Sequence, residues 1–517
     1  MNSNQNSRST DWKKRLQGFP KEDVLLVIIL AVCAPLYFVN ALRYSVPMGY
    51  AGLFTQMAQQ IASANFRLPL QSPYYGPGSI PFAYPPLGLY LLAVLIKLTG
   101  KYFIFLRLVQ PFLSLISLIP LFYLTRELTK SAAAAAFTAV IAATSLDLYI
   151  AHAWASGIVR APAFIFTLLS IYFFIRHRDQ PSRKNIFWTG VFFGLTILTH
   201  LEYALFCFAW IVCWTIFSRG FVKRAIDSVI SIAIGALISL IWILPVLFRY
   251  GMNVVLDAFR SHGNGSFISG ALNPVGLIKL LWINLSPIGS DKVVALLVLA
   301  GVFALIVKKD YILLVFYFFI ILAFPDGARF VFLIGSLIAG LGLSFSVERL
   351  PRLFPERIKF SSRTASIIVS LVILAFIWVS GFSALANLSP VLDDTTLDLA
   401  QNIQRDLPVG KIYLALTNQD EAEWMPFLFQ REPVVSQWGS EWLGTYDQQT
   451  AWMSLFHDCQ KAQDWSCVVA VIHKTEKNPD AVITYAINKK LNSQILTTNQ
   501  WVQVFANKRY ILWEPNR

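Results

Sequence analysis

Three groups of ionisable residues interrupt an otherwise apolar chain, each at the end of an apolar run. Asp147 is followed by Tyr149, His152 and Trp154, and Arg160 lies at the start of the next run. His200 and Glu202 occupy the turn between two further runs, and Asp326 and Arg329 stand three residues apart ahead of another. A carboxylate or an imidazole can accept a proton, and a guanidinium can hold an anion. A charge at membrane depth is costly unless paired or hydrated, so such residues mark candidate functional sites. Each group also has a plainer reading: Asp147 and Arg160 as a structural ion pair at the membrane surface, His200 and Glu202 as a hydrated turn, and Asp326 as a helix cap or a direct partner of Arg329.

The elements that must position these residues follow from composition. With 517 residues, 56% hydrophobic and 14% charged, and a mean hydropathy of +0.55, the chain is too apolar for a soluble globular protein. The apolar residues gather into runs long enough to approach or cross a hydrocarbon core of about 30 Å. They lie at 24–41, 103–123, 132–150, 158–175, 186–198, 201–217, 225–247, 293–307, 311–324, 328–345 and 366–388, which predicts about eleven transmembrane helices. The N-terminal tail, 1–23, carries Lys13, Lys14, Arg15 and Lys21 and no small-residue cleavage site after the following run, so Val24–Ala41 reads as a retained helix.

Charge then sets the topology. Arg126 and Lys130, the cluster from Arg176 to Lys184, Arg219 to Arg224, Lys308 and Lys309, and Arg349 to Arg363 fall in short loops, which the positive-inside rule places in the cytoplasm. Counting 85–99, only about 15 residues long, as a crossing would put all of them outside, so it reads as a re-entrant or interfacial helix. The net charge of +14 does not indicate a nucleic-acid partner, because from Pro390 onward about 15 acidic residues outnumber about 11 basic ones and the excess belongs to the membrane part.

The chain therefore divides into the tail, a transmembrane domain over 24–389 with an external loop at 43–84, and an extracytoplasmic domain over 390–517. In the external loop, Leu53, Met57 and Ile61 recur at i+4, predicting an amphipathic interfacial helix over 50–65, and the Pro/Gly-rich 73–78 reads as irregular backbone. In the tail, 395–406, 420–430, 447–463 and 480–491 read as helices. The segments 411–416, 434–437, 468–473, 501–506 and 509–513 read as strands, giving a small α/β domain. It shows no nucleotide-binding glycine motif and no clustered metal-ligand spacing. Cys459 and Cys467 flank a short polar stretch where oxidation is permitted, and are either disulfide-linked or two unlinked thiols.

The opening third resembles the GT-C superfamily of membrane glycosyltransferases, of the protein O-mannosyltransferase and aminoarabinose-transferase kind. The likeness rests on a first helix, an external loop with an interfacial helix, and Phe82-Ala-Tyr-Pro-Pro-Leu-Gly-Leu-Tyr90, similar to the Pro-Pro-Leu start of the next element there. Thr125-Arg-Glu-Leu-Thr129 resembles that superfamily's basic loop, and Asp326-Gly-Ala-Arg-Phe330 its late arginine segment near the donor phosphate. The chain departs from the pattern in one respect: no acidic residue occurs between Asp23 and Glu127, and Met48-Gly49-Tyr50 stands where the loop acid is expected.

The resemblance implies transfer of a sugar from a polyprenyl-phosphate donor to a glycan, lipid or protein acceptor at the outer face of a bacterial-type plasma membrane. Inverting transfer from a phosphate leaving group needs a base and positive charge. Asp147, ahead of Glu202, is then the expected catalytic base, with His152, Arg160, His200, Arg329 and Tyr84 as substrate-binding residues. A carboxylate and imidazole at Glu202 and His200 could also take a divalent cation. Tyr74, Tyr75, Tyr84, Trp154, Trp438 and Trp442 either stack on sugar rings or form interfacial belts. The missing loop acid leaves open a catalytically inactive protein that binds lipid-linked glycan as an accessory factor; a transporter would show paired halves, and none is apparent.

Reporter fusions at Asn387 and Lys359 should report opposite sides of the membrane, with Lys359 cytoplasmic. The same side for both would overturn this topology.

Overall fold

A computed structural model describes residues 21–76, 78–218, 220–261, 292–324, 328–349 and 362–516. Asp326 lies outside these residues.

Helix α1 (Lys21–Arg43) buries one stripe, Leu26, Ile29, Cys33, Leu36, Tyr37 and Asn40, at helical spacing. The loop read above as external follows, with α2 (Gly52–Ser63) and a hairpin of β1 (Gln71–Pro73) and β2 (Ser79–Pro81), and residues 74–76 lie past the end of β1. The run read as re-entrant forms α3 (Leu87–Thr99). Then come α4 (Tyr102–Thr129), α5 (Ala132–Thr144), α6 (Leu146–Ala153), α7 (Gly157–Asp179), α8 (Arg183–Ile197), α9 (Leu201–Ile216) and α10 (Phe221–Arg260). The membrane part ends with α11 (Lys292–Lys308), α12 (Tyr311–Ala323), α13 (Ala328–Arg349) and α14 (Ser362–Ala386).

All eleven apolar runs are thus helical. Among the described residues six helices, α1, α4, α7, α10, α13 and α14, are long and apolar enough to cross a membrane singly, and α5 with α6, bent by 71°, makes a seventh span. The remaining runs form shorter helices: α8, α9, α11 and α12 have 15, 16, 17 and 13 residues. At 1.5 Å per residue these reach roughly 20–26 Å, less than a hydrocarbon core. Helix α13 is central, buried through almost its whole length. Glycines allow that close packing: a Cβ on Gly340 would strike Thr138 of α5, and one on Gly342 the Leu297 carbonyl of α11.

The C-terminal region is an α/β unit. Its elements are α15 (Asp394–Asp406), β3 (Ile412–Leu416), α16 (Gln419–Phe429), β4 (Glu432–Pro433), a 3₁₀ turn (Ser440–Leu443), α17 (Tyr446–Ala462), α18 (Trp465–Thr475), β5 (Ala481–Tyr485), α19 (Lys489–Thr497), β6 (Trp501–Ala506) and β7 (Tyr510–Pro515). The sheet order is β4-β3-β5-β7-β6, with β3 parallel to β4 and β5 and the β5–β7 and β7–β6 pairs antiparallel. Cys459 in α17 and Cys467 in α18 are joined by a disulfide, Cα to Cα 5.5 Å.

Three tail segments differ from the sequence reading. The expected strand over 468–473 is part of α18, because Asp464 accepts hydrogen bonds from the Ser466 and Cys467 amides, and Val468, Val471 and Ile472 bury one helical face. The expected helix over 480–491 begins instead as β5, whose Ala481, Val482 and Ile483 are buried on both faces between β3 and β7; only Lys489 onward turns helical. The short 434–437 strand is replaced by a two-residue bridge at β4.

Helix α2 is not a helix lying half in water. Thr55 and Gln56 are buried as fully as Leu53, Met57 and Ile61, because α3 packs on it from one side and α16 from the other. The Glu423 carboxylate of α16 accepts from the Gly52 and Leu53 amides at 2.7 and 2.8 Å, which serves as the N-cap that Ala51 cannot provide. Trp424 Nε1 donates to the Gly49 carbonyl (2.8 Å), and the Tyr75 hydroxyl donates to the Glu423 carbonyl (2.8 Å). One continuous core therefore runs from α2 and α3 into α16 and the sheet, through Phe54, Leu92, Trp424, Phe429 and Tyr510.

Burial raises the Glu423 carboxyl from 4.5 to about 7, outweighing its two backbone hydrogen bonds. Between these values the folded chain holds a proton that the unfolded chain has released. This residue's share of stability is therefore greatest below pH 4.5 and falls as the pH rises through about 7. In thermal melts of detergent-purified protein from pH 5 to 8, Glu423→Gln should flatten that decline whatever it does to the absolute Tm. An unchanged slope would assign it to other groups.

Candidate active site

The site is assembled at one end of the helices beneath the external loop and the C-terminal unit. Arg160, in the first turn of α7, donates through Nη2 to the Tyr50 hydroxyl (2.9 Å) and through Nη1 to Ser156 Oγ (3.4 Å), and its guanidinium lies 5.7 Å from the Tyr50 ring centre. Its Nε is buried without a hydrogen bond. Among the described residues no carboxylate pairs with Arg160.

Arg329, at the start of α13, pairs with Glu202 in the first turn of α9. Its guanidinium sits 5.4 Å from the Tyr203 ring and 5.0 Å from Phe330. Tyr84 stands between the two arginines electrostatically: its hydroxyl, raised in pKa chiefly by burial, feels Arg160 and Arg329 as well as Glu441 and Tyr50. Its ring packs on Phe54 at 5.1 Å and meets His200 and Trp442 edge-on at 6.2 and 6.1 Å. The Leu87 amide donates to the Leu198 carbonyl (2.9 Å), fixing the Tyr84-Pro-Pro-Leu87 segment to the turn that carries His200 and Glu202.

His152 supports this cluster from beneath. Nδ1 lies 2.7 Å from the Leu148 carbonyl and Nε2 lies 2.6 Å from the Tyr203 hydroxyl, while the ring stacks on Phe164 at 4.3 Å. The pattern assigns the proton to Nδ1 and makes Nε2 the acceptor from Tyr203. Both ring nitrogens are thus engaged within the protein, and His152 orients Tyr203 under Arg329.

Tyr84, His152, Arg160, His200, Glu202 and Arg329, drawn from four distant stretches of sequence, are therefore neighbours. Asp147 is not joined to them by a hydrogen bond or ion pair. It lies in the first turn of α6, just past the 71° bend, where the Ser145 hydroxyl accepts from the Leu148 amide. It is five residues from His152, about 140° round the helix axis. The aromatic candidates also separate. Trp438 packs on Tyr50 at 6.5 Å and Trp442 on Tyr84, whereas Tyr75 is buried against α16 and Trp154 packs against Gly49, where a Cβ would strike its ring.

Sequence reasoning missed three contributors. Tyr50 stands where the loop acid was expected, and here it holds Arg160. Tyr203 gave no signal beyond being an aromatic in an apolar run. Glu441 lay unremarked between Trp438 and Trp442; the signal was an acid set between two tryptophans that were themselves candidates.

Residues 83–248 match the family model described as dolichyl-phosphate-mannose-protein mannosyltransferase. No curated protein matches the chain in sequence. Among solved structures, the Archaeoglobus fulgidus oligosaccharyltransferase in complex with Zn and sulfate superposes with a TM-score of 0.63 at 14% identity, covering 89% of this chain and 68% of that one. The archaeal oligosaccharyltransferase AglB from Archaeoglobus fulgidus, with an inhibitory peptide and a dolichol-phosphate, gives 0.64 at 12% identity over 90% and 69%. ArnT from Cupriavidus metallidurans bound to undecaprenyl phosphate gives 0.57 at 14% identity over 94% and 97%.

Among the described residues no three His, Cys, Asp or Glu side chains come together, and the Glu202 carboxylate pairs with Arg329. The architecture and the short paired helices agree with these structures: the chain has a GT-C-like fold, and its residues 83–248 are similar to the mannosyltransferase family model.

Proposed function

We propose that this protein transfers a sugar from a polyprenyl-phosphate carrier to an acceptor at the outer face of the membrane, with the C-terminal unit on that face. The observation that carries the reading is Arg160. A guanidinium held, among the described residues, by the hydroxyls of Tyr50 and Ser156, with a buried Nε that meets no hydrogen-bond partner among them and a second arginine within electrostatic reach, is a site prepared for an anion. The fold neighbours that contain a carrier hold dolichol-phosphate or undecaprenyl phosphate, which supports a lipid phosphate as that anion.

In this reading Arg160 and Arg329 receive the donor phosphate and take up the charge that grows on it as the sugar departs. Glu202 orients Arg329, Tyr50 orients Arg160, and His152 acts only through Tyr203. Tyr84, Trp438 and Trp442 offer ring faces and edges to the sugar. Short helices α8 and α9 bring the His200 turn toward this level instead of letting it project far into water.

Arg160→Ala should weaken binding of undecaprenyl phosphate to the purified protein by roughly 10- to 150-fold, the loss of one charge-assisted contact worth about 1.5–3 kcal/mol. Tyr50→Phe should weaken it several-fold. Native mass spectrometry or thermophoresis with the lipid measures both, and reconstitution with a panel of polyprenyl-phosphate sugars reads transfer. Unchanged lipid binding in Arg160→Ala would overturn the phosphate site, and binding without any transfer would leave a carrier-binding accessory protein.

A further inference from the structure

The external loop lacks an acid, yet the site does not lack a carboxylate. The 3₁₀ turn Ser440–Leu443 of the C-terminal unit is wedged into the membrane part. On one side Gly439 and Leu443 pack against Ile80 and Gly76 of the hairpin; on another Gly444 approaches Asp257 of α10; Trp442 is buried with Ala83, Leu198, Trp242 and Val246. This wedge sets Trp442 against Tyr84, ring centres 6.1 Å apart, and brings Glu441 within electrostatic reach of Tyr84, which also feels Arg160 and Arg329. Glu441 Oε2 is buried and has no hydrogen-bond partner, and no cation pairs with the carboxylate among the described residues.

We infer that Glu441 is the catalytic base of the transfer reaction, supplied in the folded chain by the C-terminal unit to a site whose first external loop provides none. The inference rests on the transferase reading above. A stranded, solvent-shielded carboxylate oxygen costs stability, on the order of 1–3 kcal/mol or more, and its retention beside an anion site is explained if an acceptor hydroxyl donates to it. The competing carboxylates are less suited: Glu202 is engaged by Arg329, and no hydrogen bond or ion pair joins Asp147 to the cluster. Burial raises Glu441 to about 7, the range in which a base is both available and effective at neutral pH.

The step balances without a further reactant. Glu441 Oε2 takes the proton of the acceptor hydroxyl as its oxygen forms a bond to the anomeric carbon. The bond from that carbon to the phosphate oxygen breaks, and its electron pair leaves with the phosphate. A singly charged phosphodiester becomes a doubly charged lipid phosphate, whose added charge the two arginines receive, and the proton passes from Glu441 to water after product leaves.

The test uses the full chain reconstituted with the polyprenyl-phosphate sugar and acceptor that the wild type turns over. Glu441→Gln should lower kcat by about 10²–10⁴-fold with donor KM and undecaprenyl phosphate binding nearly unchanged. Glu441→Ala should behave likewise, and added formate should restore part of its turnover, which a structural role would not allow. If Glu441→Gln keeps wild-type turnover, or if formate restores nothing while lipid binding is intact, Glu441 is not the base and the transferase reading stands. If Asp147→Asn abolishes turnover while Glu441→Gln does not, the base is Asp147. If the wild type binds lipid but turns over no donor in the panel, the transferase reading fails and this inference falls with it.

Discussion

The contact on which the arrangement depends is the one between Glu423 and the N-terminus of α2. Helix α2 begins at Gly52 with no capping side chain of its own, and its first amides would be stranded in a buried place. A carboxylate from a residue 370 positions later satisfies two of them, while Trp424 and Tyr75 tie the flanking backbone. Gly52 leaves no room for a Cβ against the Glu423 carbonyl and Trp424, so the approach is close as well as polar. The external loop and the C-terminal unit thereby share one core, and the unit does not hang on a linker.

That docking has a chemical consequence. Once α16 is fixed on α2, the chain leaving it delivers Trp438 to Tyr50 and Trp442 to Tyr84, and Glu441 arrives with them. Tyr50 in turn holds Arg160, whose charge has no carboxylate partner among the described residues, whereas Arg329 has Glu202. Arg160 therefore holds its charge without a paired acid at a place lined by aromatic rings. Such a charge in a partly desolvated site is stable only if an anion or water offsets it, the role proposed above for the lipid phosphate.

Much of the membrane part was legible in advance because lipid imposes a simple rule: a span must be a helix, and its residues must be apolar. The helix positions, the short element at 85–99 and the pairs α8–α9 follow from it. The tail was less legible. Val468, Val471 and Ile472 read equally as a buried strand or one face of a helix, and only the Asp464 cap and the layer beneath decide for helix. Ala481 to Ile483 became a strand because β3 and β7 offered it partners on both sides, a fact of tertiary structure and not of local propensity.

The sequence by itself determined that the chain lives in a bilayer, where its helices run, and which ionisable residues stand at their ends: Arg160, His200, Glu202 and Arg329 were all identifiable, because a charge beside an apolar run is too costly to be incidental. Their roles were decided only by folding. That His152 spends both nitrogens on Leu148 and Tyr203, and that Glu202 belongs to Arg329, depend on which helices face one another. Above all, the carboxylate proposed above as the base could not be picked out from sequence, since Glu441 is some 280 residues from Arg160 and its placement follows from the Glu423–α2 contact, a hydrogen-bonded, buried junction that no local pattern encodes.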